Sequence, residues 1–496
     1  MSMENEEVCN KSIKLNAVLN IFRQCCHIVF PLITYPYISR ILGSSNLGRY
    51  SFADSIVQYF LILASLGIPT YAIREGARLR SEKGRLEQLS AQLFTLSLLS
   101  LTISILLLSG ITWCVPRIRR EGMLIFILAF NIVFNIIGRD WVNTIYEDFL
   151  YISIRFITFQ FFALVCTLLF VKCTDDYLKY AIICMMANSG GYLVNLFYSK
   201  KYLPIRLTKN IGMQKHLKPV LYLFCITVTI SIYVKSDITV LGFLSTDSEV
   251  GIYTLASKIY TIIKSVLNAV ITVTLPRISY YLGDMQFDNY NKLIRKIRQV
   301  LYTVVFPTII GVFCLSSDIM LLLGGKEYQS GYKALAILCL ALFFSVFGGF
   351  YSQAILIPNR EEKYFFKITL ISAIMNVLLN IVIIPFTGIE GAAFTTVIAE
   401  IFVLFACRKK AKNYVDMVGS KGSIEIGFGC IAIAFICFTC RMLITQLLFR
   451  VIVCILASVI IYGLILLIGG NPIAIICIRK RVWRPFQSLC KLKKLK

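Results

Sequence analysis

Apolar runs of about twenty residues recur along the whole chain, and a run of that length crosses a bilayer core. In the first half they fall at about 15–38, 50–73, 88–115, 122–137, 151–171 and 177–198. In the second they fall at about 219–243, 250–275, 300–323, 332–357, 364–384 and 391–406. Two more, at about 424–440 and 449–468, precede a basic tail. Short polar segments separate the runs, and none shows the alternating ten-residue pattern of a β-barrel strand. The pattern predicts an all-α polytopic membrane protein with about 14 transmembrane helices.

Two stretches look like copies of each other. ILGSSNLGRYSFADSI begins at Ile41, and VLGFLSTDSEVGIYTLASKI begins at Val240. Each has Leu-Gly (Leu42-Gly43, Leu241-Gly242), then a short polar loop, then Gly, Tyr, Ala and Ile in one spacing. Those residues are Gly48, Tyr50, Ala53 and Ile56 in the first copy, and Gly251, Tyr253, Ala256 and Ile259 in the second. Each copy joins the first two helices of a set of six. Six spans being an even number, the two sets share one orientation, which predicts a parallel pseudo-repeat of two six-helix lobes plus two C-terminal helices. The lobes are 1–213 with a basic connector, and 214–412; residues 413–496 hold the last two spans and the tail. The corners are expected opposite each other across a cavity mouth.

Charge adds an orientation. The formal net charge is +25, and most of the Lys and Arg lie in short loops. Loops on one face carry roughly three times the Lys and Arg of the other, so both termini are expected in the cytoplasm. PRIRRE, from Pro116 to Glu121, breaks the rule by falling outside. The topology accounts for the basic excess, and no nucleic-acid partner is expected. The chain has 17 Cys and 2 His. Most Cys sit in apolar runs as small hydrophobes, so no structural disulfide, metal site or cofactor is expected. No cleavable signal is expected in the polar start, MSMENEEVCNKSIK, and the first run is expected to stay as a helix.

Ionisable residues inside spans are costly and normally face a bundle interior or a watery cavity. Asn16, Asn20, Arg23, His27 and Thr34 share a face of the first span. Ser257, Thr261, Lys264, Asn268 and Thr272 do the same in the eighth, with Lys258 beside them. Thr227, Ser231 and Lys235 align in the seventh, while Asp237 lies on another face. Arg40 and Asp54 flank the first corner, and Glu400 lies near the cytoplasmic end of the twelfth span. Cations outnumber carboxylates, which suits an anionic substrate such as one bearing phosphate. Arg23, Lys235, Lys258, Lys264 and Arg40 are the candidate substrate-binding residues. Asp54, Asp237, His27 and Glu400 are the candidates for ion coupling or charge balance. No GxxxxGK[ST] motif and no nucleophile–base set is present, so neither an ATPase nor another enzyme is expected.

The chain resembles Wzx-type polysaccharide flippases of the multidrug/oligosaccharidyl-lipid/polysaccharide exporter superfamily. The resemblance rests on PLITYPYISRILGSSNLGRYSFADSI, SDITVLGFLSTDSEVGIYTLASKI and NVLLNIVIIPFTGIEGAAFTTVIAE, with LPRIS and GRDWVNTIYED in the expected order. It covers nearly the whole chain. It implies a central cationic cavity and alternating access that carries undecaprenyl-pyrophosphate-linked oligosaccharide from the cytoplasmic to the periplasmic leaflet of the bacterial inner membrane. Proton or sodium coupling is suspected in the family, and other polysaccharide-assembly membrane proteins are the implied partners. In the family's middle motif an Asp stands at Asp237 and a Lys at Lys258. The alternatives are a peptidoglycan-lipid flippase or drug/cation antiporter of the same superfamily, and a membrane glycan polymerase or ligase. The short outer loops leave little room for the last.

Overall fold

The computed structural model describes residues 13–415, 423–471 and 473–475. Eleven of its helices are long and apolar enough to cross a membrane, and Gly122–Gly138 is a shorter apolar one. Among the described residues there is no strand. Two of the helices are each two spans joined by a sharp break. At 1.5 Å per residue, either would far exceed a bilayer core of about 30 Å if straight. α1 (Ile13–Ser65) breaks at Gly43, where φ is 74° and ψ 173°. α14 (Glu362–Ala411) breaks at Gly388, where φ is 57° and ψ −132°. Both conformations are open only to a residue without Cβ. The arrangement is compatible with fourteen spans.

By its contacts the chain divides into two compact units, Met1–Thr254 and Leu255–Lys496. The first unit contains α1, α2 (Ile68–Arg78), α3 (Lys83–Cys114), α4 (Pro116–Arg119), α5 (Gly122–Gly138) and α6 (Asp140–Ile145). It continues with α7 (Phe149–Phe170), α8 (Tyr177–Met185), α9 (Gly191–Tyr198), α10 (Met213–Leu244) and the start of α11 (Asp247–Gly283). A π-turn, Met186–Gly190, joins α8 to α9.

Side-chain-to-backbone bonds fix the helix directions. Tyr37 donates to Val171 O at 2.9 Å and Ser153 to Leu19 O at 3.4 Å, so the first half of α1 runs beside α7 in the same sense. Ser100 donates to Ala64 O at 2.5 Å and Ser104 to Phe60 O at 2.6 Å, so the second half runs antiparallel to α3. One end of this unit therefore collects the Gly43 break, the α3–α5 connection and the α10–α11 corner. The other end is basic.

The sequence-based limits shift in several places, and α11 and α12 extend to Gly283 and from Phe287, beyond the expected 275 and 300. The second span stops at Ser65, because Gly67 turns left-handed (φ 72°). Residues 68–78, read as span and loop, form α2, which buries Ile68, Tyr71, Ala72 and Gly76 and exposes Arg74 and Arg78. The first copy has no loop, because Gly43 alone makes the turn. In the second copy α10 runs on through Gly242 to Leu244 and the loop follows.

The basic end of the unit is locked by polar contacts under an apolar cluster of Ile68, Leu86, Leu93, Trp141 and Leu203. His216 lies 3.0 Å from both the Tyr71 hydroxyl and Gln92 Oε1, tying α10 to α2 and α3. Asp148 accepts from the hydroxyls of Tyr198 (2.8 Å) and Tyr202 (2.7 Å).

The second unit holds the rest of α11, α12 (Phe287–Gly324), α13 (Tyr332–Gly349), a π-helical segment Phe350–Leu356, α14 (Glu362–Ala411), α15 (Ser423–Leu443) and α16 (Leu447–Ile468). α14 folds back on itself at Gly388. Asn380 accepts from Thr395, Ala399 O accepts from Ser372 at 3.2 Å, and Ala406 O accepts from Tyr364 at 3.2 Å. The bonds pair residues progressively farther from the turn, as in a helical hairpin. α15 and α16 pack on α12 around Leu315, Ile433, Cys437 and Cys454, whose thiols are free. Asp318 and Arg450 form a 2.6 Å ion pair beside that cluster.

Candidate functional site

In the first unit α10 lies antiparallel against the second half of α1. Small and polar residues let the helices approach: Phe52 packs onto Gly242, and Thr239 Oγ1 lies 3.1 Å from Ser55 Oγ and 3.2 Å from the Tyr59 hydroxyl. Within this seam Lys235 Nζ sits 3.4 Å from Asp54 Oδ2, with side chains 33% and 18% exposed. Asp54 also accepts from Gln58 at 3.3 Å, the partner one turn away. The Asp237 carboxylate, 8% exposed, accepts a 2.7 Å bond from Tyr253. Two predicted residues are therefore a pair, and a third is anchored to the Tyr of the second corner.

The second unit contains a tighter pair. Lys264 on α11 donates to Glu400 Oε1 at 2.7 Å, and Tyr260 donates to the same oxygen at 3.2 Å. The carboxylate side chain is 5% exposed and the lysine 26%. One helical turn along α11, Asn268 faces Gly349 of α13, with its carbonyl oxygen buried and unpaired.

The other predicted residues are less gathered. Arg23 is half-buried on α1. Arg40 donates to Pro36 O at 3.0 Å in its own helix and is exposed. Lys258 is half-buried on α11. The side chain of His27 lies outside the described residues. Each of the two spans' most interior lysines, Lys235 and Lys264, has a carboxylate partner. An anion arriving at either one competes with that partner, and the balance of the two decides occupancy.

A denser charge network, unanticipated from the sequence, lies where the two copies meet. They are in contact. A Cβ placed on Gly48 would overlap the backbone carbonyl of Asp247, and one on Gly251 would overlap that of Ser44. Ser44 and Ser248 share a 2.6 Å hydrogen bond. The repeated glycines therefore exist for reciprocal close approach, and the corners, expected opposite each other, are in contact. PRIRRE lies over them. Glu121, with a fully buried side chain, accepts from Arg49 (2.9 Å), Arg117 (3.3 Å) and Arg120 (3.2 Å). Asp247 receives Arg117 on one oxygen and Arg120 on the other, each at 2.5 Å. Arg117 also donates to Gly242 O at 2.7 Å and lies 4.5 Å from the Phe52 ring centre. The breach of the positive-inside rule at PRIRRE was the sequence signal for this network, since misplaced cations need local partners.

Known proteins agree with this architecture. The fold is that of the multidrug/oligosaccharidyl-lipid/polysaccharide exporter superfamily. It is similar to the lipid II flippase MurJ in an inward closed conformation, with a TM-score of 0.72 at 17% identity over 91% of this chain and 98% of that one. It is also similar to an inward-facing multidrug resistance MATE family transporter of that superfamily, with a TM-score of 0.57 at 12% identity over 78% and 98%. A family model described as "Polysaccharide biosynthesis protein" matches residues 15–282, and the chain belongs to that family. Over 406 residues it is 21% identical to a putative O-antigen transporter of Escherichia coli (strain K12), which covers 79% of this chain and 95% of the relative. The expected kinship with Wzx-type flippases stands, as does the multi-pass helical membrane fold.

Proposed function

We propose that the protein is a flippase that moves a lipid-linked oligosaccharide, its glycan joined to undecaprenyl pyrophosphate, from the cytoplasmic to the periplasmic leaflet of the inner membrane. The observation that carries this reading is the pair of neutralised lysines on membrane helices, Lys235 with Asp54 and Lys264 with Glu400. An unpaired ammonium is expensive at that depth, whereas a paired one is tolerated and still available to a stronger anion. A pyrophosphate carries more charge than one carboxylate and more acceptor oxygens, so it displaces Asp54 or Glu400 in exchange for its own contacts. Arg23, Lys258 and Arg40 add to the positive field, and the polyprenyl chain stays in the lipid.

The freed carboxylates, together with Asp237 and His27, are the groups on which a proton or sodium ion acts to restore the pairs. The basic end of the first unit faces the cytoplasm, so both termini are cytoplasmic and the corners are periplasmic. In the proposed cycle the lobes 1–213 and 214–412 alternate access, and α15 and α16, which pack on α12, support the second of them. Membrane proteins that build or extend the glycan are the expected partners.

Reconstitution in proteoliposomes with defined lipid-pyrophosphate sugars tests the reading, with sugar accessibility followed across the bilayer under a proton or sodium gradient. Wild-type protein is expected to expose the sugar, and a Lys235→Ala/Lys264→Met/Glu400→Leu variant, which leaves no buried carboxylate without its partner, to fail while remaining folded. Normal flipping by that variant removes the lysines from the mechanism. Failure of the wild type on every pyrophosphate-linked sugar removes the substrate class.

A further inference from the structure

The Asp247 carboxylate is held as a phosphate would be held. Its two oxygens are taken by two different guanidinium groups, Arg117 and Arg120, each at 2.5 Å. Beneath them the buried Glu121 orients both arginines and Arg49 as well. Three arginines thus face two carboxylates, leaving one net positive charge at a corner where the positive-inside rule expects few cations. Guanidinium pairs of this kind are the usual receptors for phosphate oxygens. The Arg120 side chain is 55% exposed, so the site is reachable, while Glu121 is sealed below it.

We infer that Arg117 and Arg120 form a second phosphate-group site at the corner end, occupied here by Asp247 as an internal stand-in, and that a phosphate group displacing Asp247 loosens the contact between the two corners. Asp247 sits in the first turn of α11, and its backbone carbonyl is the one pressed on Gly48. Losing its side-chain anchors therefore frees the element that closes Ser44 onto Ser248. A departing pyrophosphate would in this way open its own exit. The source of the phosphate rests on the flippase reading above, whereas the site itself does not.

The test uses the full chain carrying Ser44→Cys and Ser248→Cys in phosphatidylcholine nanodiscs. These two positions are in hydrogen-bond contact, so a short bis-methanethiosulfonate reagent joins them only while the corners are closed. The joined peptide is quantified by mass spectrometry. Inorganic pyrophosphate is expected to slow joining several-fold, with sulfate at matched ionic strength having little effect. Asp247→Asn removes the anchor itself, so joining is expected to be slow without pyrophosphate and to change little when pyrophosphate is added. Arg117→Gln/Arg120→Gln is expected to lose the response. Should that variant not fold, the Asp247→Asn arm decides alone.

A parallel arm replaces part of the phosphatidylcholine with phosphatidylglycerol and adds no pyrophosphate. Slowing there identifies membrane headgroups as a source of the ligand and supports the site. No slowing by either probe, equal slowing by sulfate, or joining and pyrophosphate response in Asp247→Asn that match the wild type overturns the inference. If pyrophosphate acts as expected but lipid-linked sugars are not flipped in proteoliposomes, the function falls and the site stands.

Discussion

Lys264 Nζ lies 2.7 Å from Glu400 Oε1, in a pocket where the Tyr260 hydroxyl reaches the same oxygen. The carboxylate is nearly sealed from solvent, so removing only the lysine strands a buried charge. Lys264→Ala is expected to cost about 3–5 kcal/mol, the usual penalty for breaking a buried pair from one side. Lys264→Met/Glu400→Leu, which removes both charges, is expected to recover most of the melting temperature and none of the transport. Thermal unfolding in detergent and glycan export in flippase-null cells check the two halves. Export by the double mutant would make the pair structural.

The Lys235–Asp54 pair is looser, at 3.4 Å with side chains one-third and one-fifth exposed. Pairs of that exposure contribute roughly 0–1 kcal/mol. Lys235→Ala is therefore expected to leave the melting temperature nearly unchanged while lowering export at least tenfold. Lys235→Arg keeps the charge but changes its shape, and is expected to restore part of the export. Equal export by wild type and Lys235→Ala would take Lys235 out of the substrate path.

The hydrophobic pattern revealed the spans, because a bilayer demands about twenty apolar residues wherever a helix crosses it. It also revealed the repeat, with Gly48 and Gly251 at matching positions. It could not show that each glycine faces the other copy's backbone, since that depends on two helices distant in sequence. Polar residues within spans were legible for the same energetic reason, and Lys264 and Glu400 were both singled out. Their pairing was not legible, because nothing local to α11 points at α14. Arg117, Arg120 and Glu121 were noticed only as a breach of a charge rule. Arg139 went unremarked because a guanidinium in a loop usually lies in water, and here it does not.

Glu361 offers a pH test at a helix end outside the spans. Its carboxylate is held below the ordinary range by a hydrogen bond from Tyr414 and, next, by Lys410, at 2.5 Å and 2.9 Å. A lowered folded value means the contact stabilises above the ordinary carboxylate range and is lost as pH falls through the lowered value. The Lys412–Tyr414 turn is therefore expected to stay protected from hydrogen exchange at neutral and mildly acidic pH, after correction for intrinsic rates, and to open in stronger acid. Glu361→Gln is expected to flatten that dependence. A profile identical in wild type and Glu361→Gln would show that another group governs the turn.

Arg139 is 1% exposed, and its φ of 50° is unusual for a residue other than glycine. Its guanidinium lies between Phe94 (5.2 Å) and Trp141 (5.6 Å), bonds Ser90 at 2.5 Å and reaches the carbonyls of Leu203 and Pro204 at 3.5 Å. No carboxylate is bonded to it among the described residues, and burial pushes its pKa down to about 10. A delocalised, weakly hydrated cation tolerates such a site because aromatic faces replace part of its hydration. An ammonium is more strongly hydrated and has no planar fork, so Arg139→Lys is not conservative here. The substitution is expected to cost about 1–3 kcal/mol through lost hydrogen bonds and unpaired carbonyls. Because two of those carbonyls belong to the connector after α9, the loss should appear first as faster proteolysis near Leu203, before global unfolding. Arg139→Met, which fills the space without a charge, separates the two contributions. If it matches wild type in proteolysis, packing between Phe94 and Trp141 holds the connector. If it behaves like Arg139→Lys, the guanidinium's bonds to Ser90 and the connector hold it.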